Sequence, residues 1–504
     1  MNDEDRYIGI NDEERMLARK KRHDELMARR RKTAKRNRII FALAVVIVLA
    51  LVVVIAVTAS GKASKKVKEA SGENTANTEI PEETAAEGDV FEADEILEEA
   101  QRLRMMYDYD GAVSLLQNAD AEKYSEEIKS INEDKASCTV VDVEKVPHIF
   151  FHSLINDSRG WDPEVCGDFQ ARDNACWMCS AEEFNAVIQQ MYDAGYVMVS
   201  LHDLVETTVD DEGNKHFSPN KSLMLPPGKK AFVLSEDDLS YYHAYDNQGI
   251  ASRLVIDDSG KVKCEYTDAD GNTKIGDYDV VPLINSFVEK HPDFSYRGAK
   301  VTIALTGYNG VFGYRTDKVY LTRDEERLDP NQKEWLEANP DFNFDEDVAK
   351  AKEIAEALKA DGFEFASHTW GHRHADTASV ESLIQDNERW VESVEPVVGD
   401  VDTIIFAHGS DISTVAPYDS ENEKYVYYKN SGYDFFCNVD GSVPYWLQIG
   451  DGYVRSGRIN IDGYFLWKVL EGKESAVIDA NYLGIHDIDT FFDYNRITPV
   501  EIPE

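Results

Sequence analysis

A-F-V-L-S-E-D-D-L, residues 231–239, runs from buried-strand character straight into three acids. Ala231–Ser235 predicts a strand, which puts Glu236, Asp237 and Asp238 at its carboxyl end. The pattern returns at 363–372, F-E-F-A-S-H-T-W-G-H, where the strand Phe363–Ser367 exits into His368 and His372. It returns again where Val146–Phe151 exits into His152. Further strand candidates lie at Tyr196–Leu201, Val301–Leu305, Thr403–Phe406, Phe435–Val439 and Arg458–Ile461. Amphipathic helices intervene. Ser180 and Glu183 predict a capping box for a helix running to about Ala194. Val348, Ala351, Ile354, Ala355 and Leu358 form a helical stripe that ends before Gly362. Such alternation means parallel strands with crossover helices, in a barrel or a doubly wound sheet. In barrels of this kind, chemistry gathers at the carboxyl ends of the strands.

Two adjacent carboxylates and a His-x3-His pair, each on a strand exit, suit one divalent, zinc-like ion. Imidazole and carboxylate are the ligands such an ion takes, and three of them leave a position open for water. With 12 His in 504 residues, chance alone supplies about 0.3 His-x3-His pairs. His148 with His152 forms another, so the weight falls on strand-end placement rather than on spacing.

The order of these segments resembles the polysaccharide deacetylases of the NodB-homology type, carbohydrate esterase family 4. The family's first motif, T-F-D-D-G, is met in part by S-E-D-D-L at 235–239. Its second, H-[ST]-x-x-H, is met in full by His368, Thr369 and His372. F-A-H-G at 406–409 looks like a degenerate third motif, where the family commonly has Y-P-x-G, and R-I-N-I-D at 458–462 is similar to a late strand of many members. V-P-H-I-F-F-H-S-L at 146–154, Ser180 to Phe184, and G-Y-V-M-V-S-L at 195–201 resemble a permuted branch, whose opening strand supplies the catalytic His. The resemblance covers about residues 143–500 and implies an α/β fold of the distorted (β/α)7-barrel type.

Residue by residue, it implies Asp238, His368 and His372 as metal ligands, Asp237 as general base and His152 as general acid. Arg458 is implied as an orienter of the base, and Arg458, His408 and Tyr241 as candidates for substrate binding. Tyr242 and Tyr308 join Tyr241 as candidates for a sugar-stacking wall. His486, in L-G-I-H-D, rivals His152 because unpermuted members carry L-x-H near the C-terminus; the match of the whole opening segment favours His152. Strand alternation turns Glu236 away from Asp237, as a salt-bridge or solvent residue. The implied reaction is attack of water on an amide carbonyl, with departure of an amine that must be protonated.

Charge gives topology. The chain holds 53 Lys+Arg against 95 Asp+Glu, a net of −42, which excludes a duplex-binding surface and hence a nucleic-acid partner. Residues 1–38 alone carry +5, leaving −47 for the remainder. Between them, Ile39 to Val57 is an unbroken apolar run of 19 residues, long enough to cross a hydrocarbon core of about 30 Å. Seven Lys+Arg between Arg29 and Arg38 favour an internal N-terminus, against four lysines just beyond the span. The expected organisation is a basic cytoplasmic tail (1–38), a transmembrane helix meeting the lipid bilayer (39–58), a flexible stalk (59–93), a small helical module (94–135) and an extracellular deacetylase-like domain (143–504). Insertions lie near 246–279 and 306–345. D-D-S-G at 257–260 and D-A-D-G-N at 268–272 predict hairpin turns in the first of them. Cys166, Cys176 and Cys179 are candidates for a disulfide cluster in an oxidising exterior.

Two functions compete. One is a membrane-anchored, metal-dependent hydrolase that removes N-acetyl groups from a cell-envelope glycan of the peptidoglycan or poly-N-acetylglucosamine type. The other is a catalytically inactive glycan-binding or scaffold protein with the same barrel.

Overall fold

The computed structural model describes residues 93–440 and 442–503. The basic tail, the apolar run and nearly all of the stalk lie outside the described residues. Among the described residues no helix is long and apolar enough to cross a membrane.

Three helices come first: α1 (Ala93–Met105), α2 (Tyr109–Asp120) and α3 (Ser125–Ser137). Asp108 caps α2, its carboxylate accepting from Gly111 N–H. The buried stripe of this module, Ala100, Ala112, Leu116 and Ile131, belongs to one core with strand residues of the barrel, including Val233, Ala304 and Val454. Tyr107 donates its hydroxyl to the Asp293 carbonyl, and the Arg297 N–H donates to the Met106 carbonyl. The module is seated on the amino-terminal end of the barrel rather than held off it.

Seven parallel strands close on themselves: β1 (His148–His152), β2 (Lys230–Asp237), β3 (Thr302–Leu305), β4 (Glu364–Ser367), β5 (Thr403–Ile405), β6 (Phe435–Val439) and β7 (Tyr453–Asn460). Pairing runs in that order and returns from β7 to β1. Closure selects the barrel from the two architectures that the alternation allows. Of the eight sequence-expected strands, seven build the barrel; the eighth, Tyr196–Met198, pairs with the lower half of β2 and through Met198 with Ser295.

Helices follow most strands: α4 (Ala181–Asp193), α5 (Val280–Lys290), α6 (Phe344–Ala360), α7 (Val380–Ser393), α8 (Glu423–Asn430) and α9 (Gly463–Leu470). The expected capping box is present, the Ser180 hydroxyl accepting from Glu183 N–H and the Glu183 carboxylate from Ser180 N–H. Between β6 and β7 the strand Trp446–Gly450 lies antiparallel to β7 in place of a helix. The first insertion is the expected pair of hairpins, 253–256, 262–267 and 273–276. The second forms two short helices, Lys318–Thr322 and Pro330–Ala338.

Strand alternation sorts the side chains into two cores. Ile149, Phe232, Leu234 and Ile303 face the helices. The lumen receives His148, Ser235, Ser456, Ala304, Ala366, Cys437 and Arg458, matched in level by the parallel register. Small residues opposite long ones make room for the His148 ring, which hydrogen-bonds the hydroxyls of Ser235 and Ser456 at 3.0 and 3.1 Å. The amino-terminal end is plugged by His202, whose Nδ1 meets both Glu364 oxygens at 3.1 Å and whose Nε2 meets Asp402 at 3.0 Å.

No cysteine is paired. All six are free thiols, and Cys176 and Cys179 are buried in the helix-facing core, so the expected disulfide cluster is absent.

Candidate metal centre and active site

The upper end of the lumen is built from three strand exits. β2 ends on Asp237, directly beside His152 at the end of β1. Asp237 faces inward, where Arg458 grips both its oxygens at 2.8 and 2.9 Å. The guanidinium is wholly buried and lies 3.9 Å above the Phe150 ring. Burial would raise the Asp237 carboxyl, but Arg458 and then His368 hold it down, to about 2. Arg458 is therefore the partner of the proposed base. With no exposed surface it does not reach a substrate, which corrects its place among the substrate-binding candidates.

Adjacent strand residues normally diverge. Here Asp238 adopts φ = 63°, the left-handed region that non-glycine residues enter rarely. The turn swings its carboxylate back toward the lumen, so both aspartates address the same histidine. His368 Nε2 lies 3.8 Å from Asp237 Oδ2 and 4.0 Å from Asp238 Oδ1, and His372 Nε2 lies 3.5 Å from Asp238 Oδ2. Tyr242 donates its hydroxyl to Asp238 Oδ1 at 2.5 Å and meets Thr306 Oγ1 at the same distance. The histidines are oriented too. His368 Nδ1 donates to the Ile405 carbonyl at 2.8 Å, which leaves Nε2 for the lumen. Burial lowers His372 to about 4, so its ring is neutral at physiological pH, the form a metal requires.

Asp238, His368 and His372 each offer one ligand atom, all within 4.8 Å of one another. Ligands of a tetrahedral zinc, at bonds of about 2.0–2.1 Å, stand about 3.3 Å apart. The three ligand atoms, spread over as much as 4.8 Å, would have to draw together to reach that geometry, and a donor set of two imidazoles and one carboxylate suits zinc or a similar ion. Two of the three candidate ligands, Asp238 and His372, sit at positive φ, as does Thr369 between the histidines. Strain of this sort, about 1–3 kcal/mol per residue, collects at functional sites.

His152 Nδ1 donates to the Trp177 carbonyl at 2.9 Å, which leaves Nε2 as the free ring nitrogen beside the aspartates. Asp173, near His152, was not singled out from sequence. His486 is exposed, tied to Asp487 and to Gln190 at the far end of α4, and takes no part.

The mouth is aromatic and imidazole-rich. Tyr308 stacks on Tyr242 at 4.9 Å and meets Trp370 edge-on. His408 donates Nε2–H to the His372 carbonyl, and its ring stacks on that of His374 at 3.6 Å. Tyr241 does not belong here. Its buried hydroxyl donates to Asp279 at 2.8 Å, because the left-handed turn at Asp238 carries Tyr242 into the mouth instead. Glu236 is also corrected: it faces away from Asp237 as expected, yet it is fully buried beside Asp279 rather than in a salt bridge or in solvent. Burial pushes its carboxyl well up, so it stays protonated.

No family model matches the chain, and no curated protein matches it. Among solved structures it is similar to a Streptococcus pyogenes deacetylase, PplD, in complex with acetate, at 14% identity and a TM-score of 0.32, covering 64% of this chain and 93% of that one.

Proposed function

We propose that this chain is a metal-dependent deacetylase that removes N-acetyl groups from a neutral cell-envelope glycan of the peptidoglycan or poly-N-acetylglucosamine type. The observation that carries the reading is the convergence of Asp238, His368 and His372 with Asp237 and His152 at one end of the lumen. The apolar run at 39–57 and the cationic residues before it support a bilayer anchor with the barrel outside. The acidity of that exterior part favours a neutral polymer over an anionic one.

A divalent ion on the three ligands would supply Lewis acidity toward the amide oxygen and a bound water of lowered pKa. The protein's own groups do the proton work. Asp237, kept ionised by Arg458, accepts the proton of the attacking water. His152, anchored through Nδ1, delivers a proton from Nε2 to the departing amine, which cannot leave as an amide anion. Tyr242, Tyr308 and Trp370 form the wall against which the acetylated sugar is placed, and His408 borders it.

The test is acetate release from N-acetylglucosamine oligomers, peptidoglycan and poly-N-acetylglucosamine, with zinc supplied and with zinc removed by chelation. Release that needs the metal and vanishes in His368→Ala is the expected result. Glycan binding without release under any divalent metal would replace this reading with that of a non-catalytic barrel.

A further inference from the structure

The two metal-site histidines lie on one tight turn, His368–His372, whose backbone is bent at both Thr369 (φ 60°) and His372 (φ 51°). A β-branched residue at positive φ is a conformational outlier, so something outside the turn must hold it. Two contacts are local: Thr369 Oγ1 accepts from Arg373 N–H at 2.7 Å, and Ser367 Oγ accepts from Thr369 N–H at 3.3 Å. Others come from other elements: the Trp370 carbonyl accepts from Gly307 N–H and Tyr308 N–H at 2.9 and 3.2 Å, and the His372 carbonyl from His408 Nε2–H at 3.1 Å. Asp386, in the middle of α7, turns its carboxylate under the turn and accepts Trp370 N–H at 2.6 Å and Gly371 N–H at 2.9 Å, one on each oxygen. These are the amides of the two residues immediately before His372. The fit is close, since a Cβ on Gly371 would stand 3.1 Å from Asp386 Oδ1.

Asp386 is 4% exposed, and its nearest cation is Arg373, with Nε at 3.5 Å. A carboxylate placed on the buried stripe of a helix costs stability unless it gains charge-assisted hydrogen bonds in return. Here the two short ones both end on the histidine turn.

We propose that Asp386 is a positioning residue that fixes His372 relative to His368 and Asp238, and so sets the metal affinity of the site; this rests on the metal-centre reading above. Asn has the same shape as Asp but offers one acceptor and one donor, so Asp386→Asn leaves one of the two amides facing an N–H.

The experiment is zinc titration of the full-length chain in competition with a chromophoric chelator, with the visible spectrum of the cobalt-loaded protein as the second readout. Loss of an outer-sphere partner typically weakens metal binding about 10–100-fold, and that is the expectation for Asp386→Asn, together with an altered cobalt spectrum and turnover restored at saturating zinc. Zinc affinity equal to wild type with an unchanged spectrum would overturn the proposal while leaving the metal centre standing. Should Asp386→Asn fail to fold, Asp386→Glu keeps both acceptors and displaces them by one methylene. It is expected to bind zinc more weakly, and wild-type affinity there would likewise overturn the proposal. Failure of the wild-type chain to bind zinc or cobalt would overturn the metal reading and this inference together.

Discussion

Each end of the barrel sets histidine against paired carboxylates, and the two ends treat it in opposite ways. At the base, His202 meets Glu364 and Asp402 at 3.0–3.1 Å, and those hydrogen bonds outweigh the burial that would lower it, raising the ring to about 10. At the top, His368 and His372 stand 3.5–4.0 Å from Asp237 and Asp238, too far for a hydrogen bond, and burial lowers His372 to about 4. An ångström or less separates a triad closed by hydrogen bonds from a candidate metal set. The same strand serves both: β4 starts at Glu364 in the plug and runs out into His368 at the candidate centre.

The largest test of the contrast removes one side chain from the top. His368→Ala should lower acetate release by about 10³-fold or more, the scale of losing an essential catalytic group, with the thermal transition of the metal-free protein little changed. Retention of activity would mean that the upper set is structural like the lower one.

Next comes Arg458→Met, which strands the Asp237 charge in the lumen. Breaking a buried pair from one side costs about 3–5 kcal/mol, to be read from urea unfolding. The sign follows from the depressed carboxyl. Asp237 contributes stability above its unfolded value near 3.8, lost as pH falls through about 2. In the variant that contribution should fade at higher pH, and the acidic limb of the rate profile should move up with it.

Zinc at about 100 times its dissociation constant should stabilise the wild type by about 2.7 kcal/mol, and His372→Ala by much less. His202→Gln should gain from zinc as the wild type does, since its defect lies at the other end. A smaller effect belongs to His202→Gln itself, about 1–2 kcal/mol at pH 7 once screening of a partly exposed ring is allowed for. A raised histidine stabilises fully below 6.5, and that stabilisation is lost as pH rises through about 10. The gap between wild type and variant should therefore close toward pH 10 in thermal melts, with acetate release unaffected. A gap that widened with pH would refute the charged plug.

What could be read from the sequence and what could not divide along physical lines. β2, β4 and β1 are legible because fully buried parallel strands are short apolar runs, and their exits carry Asp237, Asp238, His368, His372 and His152. Tyr241 and Tyr242 could not be told apart as wall candidates, because nothing in S-E-D-D-L announces the positive φ of Asp238 that decides which of the two reaches the mouth. The plug escaped notice because His202 finds its partners 162 and 200 residues away. Asp386 had a faint signal. It shares the buried stripe of α7 with Leu383, Asn387 and Trp390, and an acid on a core-facing stripe is out of place unless something polar waits there.

The closure of the barrel bears on how the protein is made. The seam joins the first strand of the ring to the last, with His148 and Ser456 in contact across 308 residues of chain. Contacts of such long separation are expensive to close and form late in folding. Arg458 arrives on the last strand, yet it grips an aspartate on the second, while His152 waits on the first. Base, acid and their counter-charge are thus brought together only when the ring is complete. A chain still emerging from synthesis, or cut short before residue 458, carries both proposed proton carriers and the three candidate metal ligands, yet lacks the cation that holds Asp237 ionised.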